Sequence, residues 1–297
     1  MADQEPVADF DLSEFEAKVT KAASDAELIS TLEARGFYVL KDAHNERDVA
    51  LSDQPSGTVR FAVVSDTHLG HKHQQLTHLR NFYGTARDWG AQFMLHGGDL
   101  VDGQRMHRDQ EFELHRHGVD AQGRYAAEAL PVLKSKRGRD LSTYAIGGNH
   151  DGSGWNDAGA DVLRVIKGER DDFVPLGAPT AMFHWGPLRI MLMHPDGGPS
   201  YARSYKLQKI VENFAPDTKP HLLLAGHWHV ANHLPGYRNV EAFALPCFQA
   251  QTAYLRRKGL APVIGGLLFE AEYGVTGLHN LTTKWVIYHS TVDRDWP

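Results

Sequence analysis

From Val59 onward, short apolar runs end repeatedly in polar, glycine-containing turns: Val59 to Val64, Phe93 to Leu95, Thr143 to Ile146, Ile190 to Met193 and Leu222 to Ala225. Runs of this length followed by turn residues read as strands, and their nearly unbroken apolar character predicts burial on both faces. Between them, Leu76 to Trp89 and Tyr125 to Leu133 are long enough to be helices. The alternation predicts an α/β architecture. There is no internal repeat and no low-complexity tract.

Upstream the pattern changes. Ser24-Asp25-Ala26-Glu27 has capping-box spacing, apolar residues recur at Leu28, Ile29 and Leu32, and Gly36 is placed to stop a helix. Phe37 to Leu40 reads as a short strand. Ser52 to Gly57, containing Pro55 and Gly57, marks a boundary between a small, mainly helical or winged-helix-like appendage, residues 1–56, and a main domain, residues 57–297. The appendage holds five Lys and Arg against thirteen Asp and Glu, although the whole chain stands only at −6. Such acidity repels phosphates and favours a packing or dimerisation arm over a DNA-binding module; nothing in the pattern points to a particular oligomeric state.

With 297 residues, 42% hydrophobic and 23% charged, the chain has the composition of a globular protein, which excludes collagen-like and wholly disordered classes. Its single cysteine, Cys247, excludes an internal disulfide and a multi-cysteine zinc or iron–sulfur site, and suits a reducing compartment. Asp3, Glu5, Asp9 and Asp11 occupy the place where a secretory signal needs a basic patch and an apolar run. No apolar stretch approaches the ~20 residues that span a bilayer. A cytoplasmic protein without membrane association is expected.

The polar segments at the ends of the apolar runs carry the chemistry. Ser65-Asp66-Thr67-His68 succeeds the first run, Gly97-Gly98-Asp99 the second, Gly148-Asn149-His150-Asp151 the third, His194 the fourth and Gly226-His227-Trp228-His229 the fifth. Open α/β sheets build their sites at the carboxyl ends of strands. Carboxylate, imidazole and amide donors without a thiolate suit divalent ions of the manganese, iron and zinc kind. One such loop arises by chance in many chains; five in succession, each with metal-competent side chains, do not.

These motifs, Asp66-x-His68, Gly98-Asp99, Gly148-Asn149-His150-Asp151, His194 and Gly226-His227-x-His229, resemble the calcineurin-like metallophosphoesterase superfamily over Arg60 to about Val230. The nearest likeness is to its DNA-repair exonuclease-type and phage-like members. The resemblance implies a two-sheet β-sandwich flanked by helices, an α/β fold. It further implies that Asp66, His68 and His229 hold one metal, that Asn149, His194 and His227 hold another, and that Asp99 bridges them. Two divalent ions are therefore expected, manganese foremost, with iron, zinc, nickel or magnesium as alternatives. A pair of cations about 3.5 to 4 Å apart shares and activates a water for in-line attack on a phosphate. His150, beside Asn149, is the candidate general acid for the leaving oxygen, and Asp102 is the carboxylate expected to orient its ring.

Other residues have plainer readings. His71, His73 and His78 are expected to be solvated, His96 to be a buried and hydrogen-bonded histidine, and His115 and His117 to bind no metal. His107-Arg108-Asp109 imitates a kinase triplet without the accompanying kinase motifs. Lys134 to Arg139 and Arg256 to Lys258 are basic clusters that could steer a polyanion. After His194, Tyr201, Arg203 and Tyr205 are candidate substrate contacts, since aromatic faces stack on bases. The phosphoprotein phosphatases of the superfamily carry an arginine where this chain has Gly103, and the repair nucleases place a histidine soon after Gly98-Asp99, where this chain has Val101 and Asp102. The expected activity is hydrolysis of phosphodiester bonds, with nucleic acid or a nucleotide as substrate. A nucleotide or cyclic-nucleotide hydrolase, a phosphomonoesterase and a non-catalytic scaffold are the alternatives.

Overall fold

The computed structural model describes residues 47–50 and 52–297 apart from residue 217. The helix and strand expected between Ser24 and Leu40 lie outside the described residues, as do residues 1–46 and 51 of the appendage to which they belong.

Two six-stranded sheets face each other. One has the order β1 (Arg47–Ala50), β8 (Thr180–Trp185), β9 (Leu188–Met193), β10 (Leu222–Ala225), β12 (Val240–Ala244) and β11 (Asn232–Tyr237). The other runs β14 (Gly277–Tyr288), β13 (Ile264–Gly274), β2 (Gly57–Val64), β3 (Met94–His96), β6 (Thr143–Ile146) and β7 (Phe173–Gly177). A two-stranded hairpin, β4 (Leu133–Lys134) and β5 (Asp140–Leu141), stands apart. The five apolar runs of the sequence are β2, β3, β6, β9 and β10. β1 lies upstream of the Ser52–Gly57 boundary and pairs in parallel with β8.

Strand periodicity explains the layering. Along β2, Val59, Phe61 and Val63 turn into the space between the sheets, where they meet Leu192, Leu224 and Phe243; along β10, Leu222 and Leu224 do the same from the other side. The alternate residues, Ala62 and Val64, face helices α1 (Leu76–Trp89), α2 (Val119–Ala129) and α4 (Val162–Glu169) through Leu79, Phe82, Ala126 and Ile166. On the far sheet, Leu223 and Ala225 meet Leu207 and Val211 of α5 (Tyr205–Glu212). Both faces of each inner strand are thus covered, as unbroken apolar runs require.

Helix α1 buries Leu76, Leu79, Phe82, Tyr83 and Ala86, a stripe of helical period, and stops at Gly90 with φ 88°, a left-handed value that glycine takes without strain. Its range coincides with the sequence reading. Helix α2 does not: it begins at Val119 after Gly118 and ends before Pro131, with Leu133 already in β4. Proline disfavours a helical conformation in the residue preceding it, so Leu130 is extended and the helix stops there.

The first turn of α1 has no cap from its own flank. Asp295 supplies one from the other end of the domain: Thr77 donates its N–H to Asp295 Oδ2 at 2.6 Å and its hydroxyl to Oδ1 at 2.7 Å. Gln74 donates to the Asp295 carbonyl at 2.9 Å, Gln75 to the Val292 carbonyl at 3.1 Å, and Trp296 stacks on His115 with centroids 5.2 Å apart. This strap fastens the segment between the first candidate motif and α1. Asp295→Ala is expected to lower stability by about 1 kcal/mol, the usual loss for a removed N-cap, and Asp295→Asn by less, read as a shift of the urea midpoint at constant slope. Identical midpoints for wild type and the alanine variant would contradict the capping role.

Candidate metal centre

β2, β3 and β6 are parallel neighbours, as are β9 and β10, so the segments leaving them emerge at one rim of the sandwich. All seven sequence-predicted ligands meet there. His68 Nε2 lies 3.1 Å from His229 Nε2, and His229 Nε2 lies 3.3 Å from Asp66 Oδ1. His194 Nε2 lies 3.1 Å from Asp99 Oδ2 and 3.2 Å from Asn149 Oδ1, and the His194 and His227 rings have centroids 5.1 Å apart. Three groups have ligand atoms mutually within 4.8 Å: Asp66, His68 and His229; Asp99, His194 and His227; and His68, Asp99 and His150.

The outer ring nitrogens fix how two of these histidines present themselves. His68 Nδ1 faces an Asp102 carboxylate oxygen at 2.9 Å, and His194 Nδ1 faces the Gly97 carbonyl at 2.8 Å. An acceptor at Nδ1 places the proton there and leaves Nε2 as a lone pair. His68 therefore turns a lone pair toward His229 Nε2, and His194 turns one toward two oxygens. Electron-rich atoms gathered at this spacing repel unless a cation or a proton sits among them. The donors are carboxylate, imidazole and amide oxygen, the set that divalent metal ions take. The residues fit a metal pair.

The backbone is bent to achieve this. Asp66, His68, Asp99, His227 and His229 all have positive φ, between 43° and 78°, and they make up five of the ten non-glycine residues with positive φ among the described residues. Each such conformation costs on the order of 1–3 kcal/mol and is typical of functional sites. Two glycines make room behind the ligands. A Cβ on Gly98 would fall 2.5 Å from His194 Nδ1, and one on Gly148 would fall 2.1 Å from Asp99 Oδ1.

The electrostatics are those of concentrated acceptors. Burial disfavours an ionised Asp66, yet the neighbouring His229 holds it down at about 2; burial likewise opposes charge on Asp99, but His194 and His150 keep it well below the usual carboxylate range. Burial opposes charge on His194 as well, and the Asp99 carboxylate outweighs it, raising that imidazole to about 10. His227 goes the other way, to about 4, because burial and the adjacent His194 both disfavour its cation.

Asp102 departs from the sequence expectation. Its carboxylate faces the candidate ligand His68 and accepts from Gln110 Nε2 at 2.6 Å and Gln249 Nε2 at 3.1 Å. His150 is oriented instead by the Asp102 main chain: its Nδ1 lies 2.5 Å from the Asp102 carbonyl and 3.9 Å from the carboxylate. His150 keeps a partly open side chain at the rim, with its N–H donating to Asp99 Oδ1 at 2.8 Å. Asp151 has a role that sequence reasoning missed. Its carboxylate opens α3 (Asn149–Ala158) and accepts from the N–H groups of Gly148 at 2.9 Å, Leu100 at 3.1 Å and Val101 at 3.0 Å, tying the second candidate loop to the third. The aspartate three residues after Gly148 was the available signal.

Elsewhere, His96 is buried beside Thr67 Oγ1 at 3.1 Å. His71 and His78 are buried rather than solvated, since the loop over them is closed by Glu113, 3.7 Å from His71, and by the strap, whose Ser290 carbonyl meets His78 at 2.8 Å. The cluster Lys134 to Arg139 forms the β4–β5 turn, which precedes the amino end of β6 and so lies at the edge away from the rim. Arg256 and Arg257 are at the rim side, on α6 (Ala253–Arg257), whose first N–H donates to Glu113 at 3.2 Å. Tyr201, Arg203 and Tyr205 are exposed on the segment after β9. None is bonded to the seven ligands, but their loop is anchored to the fifth motif: Trp228 Nε1, between His227 and His229, donates to the Gly197 carbonyl at 2.9 Å.

The family model for calcineurin-like phosphoesterases matches residues 59–231. No curated protein matches the chain. Among solved structures, the chain is similar to GAP50, described as the anchor in the inner membrane complex of Plasmodium, with TM-score 0.46 and 13% identity over 80% of this chain and 86% of that one. It is also similar to a dimetal phosphatase from Danio rerio, with TM-score 0.38 and 11% identity over 76% and 98%. A phosphatase from Mycoplasma pneumoniae gives TM-score 0.40 and 12% identity over 78% and 94%. Among the described residues, no helix is long and apolar enough to cross a membrane.

Asp151→Asn leaves one acceptor oxygen for three N–H donors. It is expected to lose about 1–3 kcal/mol of stability, the cost of stranding a buried donor, and to release metal more readily, measured by urea unfolding and by elemental analysis of the purified protein. Unchanged stability and metal content would remove Asp151 as the tie between the loops.

Proposed function

The chain belongs to the calcineurin-like phosphoesterase family, and from that membership and the geometry of the rim we propose that it is a metal-dependent phosphodiesterase acting on nucleic acid. The observation that carries the metal reading is the 3.1 Å approach of His68 Nε2 to His229 Nε2 while the outer nitrogen of His68 is held by Asp102. Asp66, His68 and His229 would hold one divalent ion, Asn149, His194 and His227 the other, and Asp99 both. The hard and borderline donor set suits manganese or iron best. When bound, such a pair acidifies a water and neutralises charge on the phosphate oxygens.

The chain's own groups supply the rest. His150 donates Nδ1–H to the Asp102 carbonyl, so its ring is fixed with Nε2 free at the rim. Protonated there, it gives its Nε2 proton to the leaving oxygen, a contribution typically worth 10²- to 10⁴-fold. Asp102 serves both sites from one residue, holding His68 by its carboxylate and His150 by its carbonyl.

Preference for a diester follows from Gly103. A Cβ at this position would fall 2.3 Å from the His150 carbonyl oxygen and 2.3 Å from Ser153 Oγ. No arginine fits here to clamp a dianionic monoester with a bidentate fork. Preference for nucleic acid rests on the aromatic rim. Of the five exposed large hydrophobic residues among the described residues, Phe112, Trp155, Tyr201 and Tyr205 sit on segments leaving the ligand-bearing ends of strands, and Val275 caps the hairpin at the opposite edge. Aromatic faces of this kind stack on unpaired bases, and Arg203, Arg256 and Arg257 provide cations for the backbone.

With Mn²⁺, the protein is expected to hydrolyse bis(p-nitrophenyl) phosphate and single-stranded oligonucleotides in preference to p-nitrophenyl phosphate, with oligonucleotide cleavage falling steeply with salt and diester cleavage unaffected. A preference for the monoester or for cyclic nucleotides, or a flat salt response, would overturn the nucleic-acid assignment. His150→Asn is expected to retain metal and to lose turnover most for poor leaving groups; equal losses for good and poor leaving groups would remove it as the acid.

A further inference from the structure

Asp102 faces two histidines with two different groups. Its carboxylate lies 2.9 Å from His68 Nδ1 and its carbonyl 2.5 Å from His150 Nδ1. Distance alone does not impose this division, because the same carboxylate oxygen, Oδ1, is 3.9 Å from His150 Nδ1. A small rotation about the Cα–Cβ bond of Asp102 would carry the carboxylate from one imidazole to the other, and a charged acceptor draws a ring N–H more strongly than a carbonyl does. The carboxylate needs a restraint that keeps it on the His68 side.

Gln110 supplies that restraint. It opens a 3₁₀ turn, Gln110–Phe112, and is buried with Asp102, the two being 0% and 2% exposed. Its amide nitrogen donates to Asp102 Oδ2 at 2.6 Å and to the Asp102 carbonyl at 2.9 Å, and its amide oxygen accepts from the Met106 N–H at 2.8 Å. Two acceptors at one end and a donor at the other settle which end of the amide is nitrogen. Bonds to the main chain and the side chain of one residue fix the torsion between them, so the carboxylate turns only if one of them breaks. Gln249 adds a bond to Oδ1 at 3.1 Å from its own segment. Among the described residues, no side chain other than Gln110 is hydrogen-bonded to both halves of Asp102.

We propose that Gln110 is a positioning residue that holds the Asp102 carboxylate on His68 and so leaves His150 to the Asp102 carbonyl. This inference rests on the reading of His68 as a metal ligand and of His150 as the acid. A side chain of similar length without a donor would let the carboxylate turn toward His150. His68 then loses the acceptor that fixes its Nδ1 proton, and the His150 ring is drawn off the direction that the carbonyl sets.

The test compares wild type with Gln110→Met, which keeps the length of the side chain and removes its donors. Two readouts are taken on the full chain: Co²⁺ affinity, followed by visible absorption, and, with Mn²⁺, the ratio of kcat for the p-nitrophenyl and phenyl esters of thymidine 5′-phosphate. Gln110→Met is expected to weaken one of two Co²⁺ ions by about 10-fold, the low end of what losing an outer partner of a ligand costs. It should also raise the p-nitrophenyl-to-phenyl ratio by about 10-fold, part of the 10²- to 10⁴-fold that a general acid supplies. A merely structural loss lowers both esters in proportion and leaves the ratio alone. In a His150→Asn background the same substitution should still weaken the ion but no longer move the ratio, because the two effects run through different histidines. An unchanged affinity or an unchanged ratio in Gln110→Met, or the same ratio shift with and without His150, would overturn the inference while leaving both histidines as read. Fewer than two ions on wild type would overturn the reading of His68, and equal ratios for wild type and His150→Asn would overturn that of His150; either result takes the role of Gln110 with it.

Discussion

The rim is organised around a charge problem. Two buried carboxylates, Asp66 and Asp99, share a small volume with imidazole nitrogens whose protons are directed away, toward Asp102 and Gly97. Left alone, such a collection of acceptors would push itself apart, and the depressed carboxylates and elevated His194 show how strongly it draws positive charge. A pair of divalent cations would turn the repulsion into a force that holds five loops together. Without them, protons are the only substitute, and they satisfy fewer lone pairs.

Everything around the rim opposes that repulsion. The two sheets hold the strand ends in register through a core in which Phe61 stacks on Phe93 and Phe269 with centroids 5.3 and 5.0 Å apart. Five candidate ligands hold left-handed backbone conformations that an unconstrained loop would relax. The restraint comes from elements distant in sequence: Asp151 ties the second loop to the third, Phe248 donates to the Asp66 carbonyl at 3.0 Å, and Gln75 donates to the Phe248 carbonyl at 2.8 Å. Through Gln74 and Gln75 this chain of bonds reaches the C-terminal strap. Residues that touch no substrate therefore decide whether the centre keeps its shape.

The ligand loops were legible because each comes directly after an apolar run, and a strand end leading into glycine and a metal-competent side chain is a local pattern. Helix α1 was legible for the same reason, its stripe and its stop both lying within the segment. What the sequence concealed depends on distance. Asp295 caps a helix 218 residues away, and nothing near it announces the partnership. The Asp102 carboxylate and carbonyl lie within reach of two histidines, and only the fold decides that the carboxylate goes to His68. His71 and His78 look like solvated histidines until the loop bearing Glu113 and the strap close over them. The cluster at Lys134 could have flanked the rim or opposed it, and the β4–β5 hairpin puts it at the far edge.

The most direct test is diffraction from crystals grown with manganese, recorded where its anomalous signal is strong. Two peaks are predicted, one among Asp66, His68 and His229, the other among Asn149, His194 and His227, with an Asp99 oxygen reaching both. A single peak, or peaks elsewhere with the His68 and His229 rings swung apart, would contradict the account.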